Sequence, residues 1–417
     1  MTRVLIITIG SRGDIQPFIA LGKGLQSAGY DVALQTAEAY KPFVQAHGLN
    51  YLYMNNEFMN LTESKAGQAA TEGGSKFSLM KQVMPVLRQM LEDEWRAAQD
   101  FKPDAIVYHP KSLGGYHIAE KLNIPLFLSL ALPLYTPTSA YPTPVMAGLP
   151  LGGAFNRLSY KLMGLATAPY AGVINDFRVY TLGLQKRGRF ASDLVKPNGK
   201  PVPVLYAYSP HVLPVPPDYP PHVHVTGYWF LDRAHDWHPP ADLARFLEAG
   251  APPVYVGFGS MSGTKAQERA RVVLEALQRT GQRGVLASGW GGMKADDLPE
   301  DVFMLDHAPH DWLFPRMSAV VHHGGAGTTA AGLRAGKPTV IVPFIADQPF
   351  WGRVVHELGV GTAPIPQKNL TVEALTTALN RVVQDADMRR RAELLGEKLR
   401  AEDGIGCAVD IIRRTID

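Results

Sequence analysis

The chain has 417 residues, 46% of them hydrophobic and 19% charged, with a formal net charge of +3. That length exceeds one ordinary core and predicts two domains of soluble globular composition. The small charge, with no Lys/Arg run interleaved with aromatics, excludes nucleic acid as the expected partner. The lone Cys407 excludes an internal disulfide and makes a reducing cytoplasm the default compartment.

The N-terminus, MTRVLIITIG, is apolar too briefly for a signal peptide and runs directly into a strand pattern, Val4–Ile9. A helical pattern over Ile19–Ala28 ends at Gly29. Strands are predicted at Asp31–Thr36, Asp104–Tyr108 and Pro125–Leu130, with a long helix at Ser78–Gln99. Apolar strands separated by helices predict a parallel sheet covered on both faces. From Pro133 to Gly172 the chain is rich in Pro, Tyr, Thr and Gly, with Met146, Leu149, Leu151, Phe155, Leu158, Tyr160, Leu162 and Met163. This reads equally as a packed loop with short helices or as an apolar wall facing a ligand or a membrane.

Prolines cluster at Pro210–Pro221, VHVTGYWF (223–230) is strand-like, and Leu231–Ala241 is the best domain boundary. A second alternating series follows. Strands are predicted at Pro253–Gly259, Gly284–Ser288, Val302–Leu305, Ala319–His322 and Thr339–Phe344. Helices are predicted at about Lys265–Arg279, Pro349–Leu358, Val372–Val383 and Met388–Ala401. The expected class is α/β, two doubly wound domains with ligands beyond the carboxyl ends of the strands. No apolar run is long enough to cross a bilayer, so any membrane contact is expected to be peripheral.

The most informative stretch is AVVHHGGAGTTAAG, 319–332. A buried strand that breaks into Gly and Thr and opens a helix leaves unpaired N–H groups and a partial positive charge, which suits a phosphate. GFGSMSG (257–263) follows another strand and offers Gly259, Ser260 and Ser262 as donors to the same kind of group. Trp290, in SGWGG, reads as packing or as a ring stacked on a base. His307 and His310, in HAPH, have a metal-like spacing, but Pro309 breaks the helical face and no carboxylate or Cys set accompanies them, so no metal is expected. Asp347 and Gln348, in IADQPFWG, read as an N-cap or as a pair for sugar hydroxyls. In GSRGD (10–14), Asp14 reads first as an N-cap and second as a carboxylate able to take a proton from a hydroxyl. One rival remains open. Gly325–Ala330 fits G-x-G-x-x-A with Asp347 about 20 residues on, the spacing of a dinucleotide fingerprint, although several strands into its domain.

Four segments together resemble a known family: TIGSRGDIQPFIALGKGL (8–25), VTGYWFLD (225–232), YVGFGSM (255–261) and the long run from HAPHDWLFP to PFIADQPFW (307–351). The chain resembles the GT-B-fold glycosyltransferases that use nucleotide-sugar donors. It looks most like the UDP-glucose-dependent sterol 3-beta-glucosyltransferases and related bacterial antibiotic glycosyltransferases. The resemblance implies two Rossmann-like domains facing across a cleft: an acceptor domain, 1–235, rejoined by a helix at about 402–417, and a donor domain, 236–401. It implies an inverting, metal-independent transfer of a hexose to a hydroxyl of a lipophilic small molecule, with the nucleotide sugar as co-substrate and no further cofactor. Asp14 would be the general base. His323 would contact the donor phosphates, with Gly325, Gly327, Thr328 and Thr329 as helix-start donors and Gly259 and Ser260 from the other loop. Trp290, His307 and Ala308 would surround the base, Asp347 and Gln348 would hold the sugar hydroxyls, and Ser11, Arg12 and Gly13 would lie beside the donor.

The chain departs from the plant members. Their ribose-binding glutamate, eight residues after the equivalent of His323, is Ala331 here, which leaves both UDP- and dTDP-sugars as donors. Their tryptophan is His307, and their N-terminal catalytic histidine has no counterpart in GSRGD, which puts the weight on Asp14. A nucleotide-sugar epimerase and an NAD-type oxidoreductase are the alternatives; the apolar 133–172 segment counts against the epimerase.

Overall fold

The computed structural model of the chain describes residues 1–63, 76–146, 151–233, 237–258, 266–287 and 298–416. The chain divides into two compact units. Met1–Pro210, Val215–Leu231 and Asp403–Asp417 form the first, and His211–Pro214 with Asp232–Glu402 the second.

The first unit carries β1 (Arg3–Ile7), β2 (Asp31–Ala37), β3 (Asn50–Met54), β4 (Ala105–Tyr108), β5 (Leu126–Leu130), β6 (Val204–Tyr206) and β7 (Val223–Val225). They form one parallel sheet in the order β3-β2-β1-β4-β5-β6-β7. Val4, Leu5, Ile6 and Ile7 are fully buried, because a strand covered on both faces needs apolar side chains at every position. The C-terminal helix Gly404–Ile416 closes one face. Its Ala408, Val409 and Ile412 join the core that Ile15, Phe18, Ile19 and Leu25 of helix Arg12–Ser27 build against the sheet.

The second unit carries β8 (Val254–Gly257), β9 (Gly284–Ala287), β10 (Val302–Leu305), β11 (Ala319–His322) and β12 (Thr339–Ile341), all parallel, in the order β10-β9-β8-β11-β12. Two apolar clusters, one around Val256, Val273 and Val321 and one around Tyr255, Phe314 and Val320, cover its two faces. Each sheet grows one way from its first strand and then reverses. The reversal falls between β1 and β4 in the first sheet and between β8 and β11 in the second. At such a point neighbouring crossovers leave in opposite directions, and the loops at the carboxyl ends frame a crevice.

Several elements differ from the sequence pattern. The first helix starts at Arg12, two turns before the apolar periodicity, with Pro17 inside it. The edge strand Asn50–Met54 and the three-residue strand Val204–Tyr206 escape the pattern because each is short and flanked by turn residues. The 133–172 segment holds a 15-residue helix, Gly153–Thr167, longer than a loop with short helices implies. The strand predicted to reach Phe344 stops at Ile341, and the Phe344 amide donates to the Gln348 side chain at 2.7 Å instead.

Candidate functional site

Two loops leave the first sheet at its reversal, one after β1 and one after β4. Gly10, at φ +135°, turns the first loop, and Ser11 precedes the helix. Asp14 is the third helical residue, not the cap. Its Oδ2 accepts the Ser11 amide at 2.8 Å and the Ser11 hydroxyl at 3.0 Å, the carboxylate half of a capping box. Its Oδ1 lies 2.7 Å from Lys111 Nζ and 3.7 Å from His109 Nε2. Burial works against the charge, but Lys111, His109 and the Ser11 amide outweigh it and hold the carboxyl below its usual range. The side chain is still 19% exposed, so a ligand can reach it. A Cβ on Gly10 would sit 2.3 Å from Asp14 Oδ2 and 2.9 Å from Lys111 Nζ, so only glycine leaves room for this ion pair.

His109 and Lys111 escape the sequence reading. The available signal is position, because HPKS follows a buried strand as GSRGD does. Burial pushes the His109 imidazole down to about 4, with Asp14 pulling the other way. The Lys111 amide donates to His109 Nδ1 at 3.2 Å, so the neutral ring carries its proton on Nε2, facing Asp14. Beneath this loop lies Glu94 of helix Lys76–Phe101, fully buried, accepting from Ser112 Oγ at 2.9 Å and the Gly114 amide at 2.8 Å. Burial raises its carboxyl to about 8. Arg12 turns elsewhere, with its Nε 3.2 Å from Gln16 Oε1 and its guanidinium over Phe43.

At the reversal of the second sheet, β11 ends in two histidines with different tasks. His322 is fully buried and its Nδ1 accepts the Gly324 amide at 2.9 Å, which shapes the turn. Burial drives its imidazole well below the ordinary value. His323 is partly exposed, and burial lowers it to about 4 against the Gly257 backbone of β8. Its Nε2 stands where a Cβ on Gly325 would be, 2.5 Å from that position. The ring therefore lies over the start of helix Ala326–Arg334, whose cap is Gly325. The first intrahelical bond is Thr329 N to Gly325 O, which leaves the amides of Ala326, Gly327 and Thr328 at the open end. Gly327 faces open space. Thr329 departs from its expected role. Its amide and its hydroxyl both donate to Gly325 O, so neither is left for a ligand.

Asp347 occupies the cap position of helix Gln348–Glu357 but makes no cap bond; its Oδ2 accepts the Trp351 indole at 3.1 Å. Gln348 is buried, and its Oε1 accepts both the Phe344 and Ile345 amides. Just before Asp347, Ala346 stands at φ +57°, a left-handed conformation uncommon for alanine, so this loop holds local strain beside two candidate site residues. Ala308 is buried and His307 exposed, whereas the half-buried His310 stacks on the buried Phe314 at 4.2 Å. Gly259, Ser260 and Trp290 lie outside the described residues.

Comparison with known proteins converges on one group. Residues 4–142 match the glycosyltransferase family 28 N-terminal domain, and residues 285–406 match the erythromycin biosynthesis protein CIII-like C-terminal domain. Two sterol 3-beta-glucosyltransferases of Arabidopsis thaliana, UGT80A2 and UGT80B1, are each 38% identical over 98% and 99% of the chain. The chain spans 64% of the first and 68% of the second, about two thirds of their length. The crystal structure of the kitacinnamycin glycosyltransferase superposes with a TM-score of 0.75 at 18% identity, covering 100% of this chain and 99% of that one.

Proposed function

This chain belongs to the glycosyltransferase family that contains the sterol 3-beta-glucosyltransferases, and from that premise we propose that it moves a hexose, glucose from UDP-glucose, to a hydroxyl of a lipophilic molecule such as a sterol. The observation that carries the reading is the helix start at Ala326, with the His323 ring over Gly325 and three amides at its open end. Oriented N–H groups and an imidazole suit the diphosphate of a nucleotide sugar, on which charge builds as the sugar leaves. Asp347 and Gln348 suit the sugar hydroxyls, and Asp14 suits the acceptor.

In this reading Asp14 receives the acceptor hydroxyl. Asp14 takes the hydroxyl proton as the oxygen attacks opposite the leaving diphosphate, which inverts the anomeric centre without a metal. Lys111 and His109 keep the carboxyl ionised until the hydroxyl arrives. The gain from each oriented donor is on the order of 10²–10³ in rate. Exclusion of water from the reacting centre prevents loss of the sugar to hydrolysis.

The test is an acceptor panel with UDP-glucose and dTDP-sugars read by mass spectrometry, beside thermal shifts with UDP, dTDP and NAD. We expect stabilisation by UDP and a glucosylated lipophilic alcohol. Stabilisation by NAD alone would overturn the reading.

A further inference from the structure

The loop that leaves β5 stands next to the loop after β4, because the two strands are neighbours in the first sheet. It therefore lies at the carboxyl ends of the strands, where parallel α/β sheets receive their ligands, beside the residues that bring His109 and Lys111 to Asp14. Its own backbone does little to hold it. Pro133, Pro137 and Pro142 offer no N–H. Between Pro133 and Pro142 the described residues make one backbone-to-backbone hydrogen bond, from the Leu134 amide to Leu132 O at 2.8 Å.

Two side chains from 70 and 80 residues further along hold it instead. Tyr206, the last residue of β6 and fully buried, accepts the Tyr135 amide at 3.2 Å and the Thr136 amide at 3.0 Å on its hydroxyl oxygen. Both lone pairs are then taken, so its O–H donates to Thr136 Oγ1 at 2.8 Å. Asp218 accepts the Thr138 hydroxyl at 2.5 Å on one oxygen. On the other it accepts the Ser139 amide at 2.8 Å, the Ser139 hydroxyl at 2.9 Å and Arg157 at 2.8 Å. Thr138, Arg157 and Ser139 hold the carboxyl well below the usual carboxylate range, so it stays an acceptor at neutral pH. Stability alone does not call for this arrangement. Apolar side chains could pack a loop equally well, whereas a satisfied polar network fixes one conformation. The burial pattern agrees. Thr136 and Thr138, which make the bonds, are buried, while the apolar Leu132 and Leu134, which directly follow β5, stay half-buried.

We propose that Leu132 and Leu134 receive the apolar body of the acceptor, and that Tyr206 and Asp218 are positioning residues that hold these two leucines in place beside the Asp14 loop. The inference rests on the sugar-transfer reading and deepens it. A wall held in one conformation favours a rigid acceptor over a flexible one, because neither partner then loses much freedom on binding.

The test is steady-state kinetics of Tyr206→Phe and Asp218→Asn with UDP-glucose and two detergent-dispersed acceptors, cholesterol and 1-hexadecanol. Either variant should raise the cholesterol KM by roughly tenfold, leave the UDP-glucose KM within about twofold and narrow the preference for cholesterol over hexadecanol. Hydrogen exchange at the Tyr135 and Thr136 amides should quicken in Tyr206→Phe. Leu134→Ser should raise the cholesterol KM by roughly a few-fold to tenfold without that change in exchange, as loss of a contact rather than of its support. Val32→Ala, a truncation in the core of β2, should lower the melting temperature and leave both KM values unchanged, which separates positioning from general destabilisation. If Tyr206→Phe does not fold, Asp218→Asn and the milder Ser139→Ala carry the measurement. Folded variants with an unchanged cholesterol KM, or with donor and acceptor KM rising together, would overturn the proposal while wild-type transfer upholds the transferase reading. Wild-type protein that glucosylates neither alcohol nor any member of the acceptor panel would overturn that reading, and the inference with it.

Discussion

The two sheet reversals are built alike and treat charge in opposite ways. In the first unit, Lys111, His109 and the Ser11 amide converge on Asp14 and keep it ionised despite burial. In the second, burial strips the charge from two adjacent histidines, His322 and His323. A base must hold a negative charge ready for a proton. A cradle for a diphosphate gains from staying neutral when empty, because the ligand itself then draws the proton in. In the proposed reading the same α/β geometry serves two electrostatic tasks, set by which side chains crowd each loop.

The sharpest way to break this contrast is at Asp14. Asp14→Asn keeps the shape and the bond from the Ser11 amide but removes the charge, so turnover should fall by roughly 10²–10⁴-fold while UDP affinity stays within error. Near-normal turnover from a folded Asp14→Asn variant would show that the base lies elsewhere. His323→Ala should do the reverse, weakening UDP binding and lowering the rate by roughly 10²–10³-fold. It should also flatten the pH dependence of UDP affinity. In the proposed site a bound diphosphate should raise the imidazole from about 4, so that binding takes up a proton and tightens as pH falls. Titration calorimetry in buffers of different ionisation heat reads this uptake directly; an unchanged signal in the variant would remove His323 from the phosphates.

Gly10→Ala tests the close approach. Its methyl meets Asp14 and Lys111, so the ion pair must shift, and turnover should drop by roughly tenfold or more with donor affinity intact. Lys111→Met is smaller, roughly tenfold or less in rate. It frees Asp14 of its nearest cation, so the acid limb of the kcat/KM profile, which in the wild type lies below the ordinary carboxylate value of 3.8, should move up. An acid limb that stays in place would make Lys111 structural only.

Glu94→Gln should leave the reaction nearly unchanged and alter stability instead. The Glu94 carboxyl titrates near 8 when folded against an ordinary value of 4.5. Below about 4.5 both states hold the proton and the group is neutral in effect; between about 4.5 and 8 the unfolded chain ionises first, so stability falls as pH rises. The glutamine should remove that slope and add stability on the order of a few kcal/mol at pH 8, read as a higher melting temperature. A melting temperature that falls at every pH would mean that the carboxylic acid itself is needed.

Much of the fold is legible in the chain. Runs such as VLII and AVV are apolar at every position because their strands are covered on both faces, and their loops announce the carboxyl ends. The helix start at Ala326 follows from glycines and threonines after a buried strand. What the sequence hides has physical causes. Asp14 reads as a cap because local spacing sees only its own helix, whereas Ser11 is the cap and the partners of Asp14 come from the loop after β4, about 100 residues on. Thr329 reads as a ligand donor because spacing does not say which way a hydroxyl turns.

The sequence by itself determined the two α/β units, most of their strands and the candidate loops after β1 and β11, since these follow from periodicity, glycine and the helix start. Only the tertiary structure decided which strands became neighbours, and so which loops meet at each reversal. That choice brings Lys111 and His109 to Asp14 and His323 beside β8, and with it fixes charge on one and neutrality on the other. Ionisation at a site depends on burial and on partners remote in sequence, and neither is written in the local pattern.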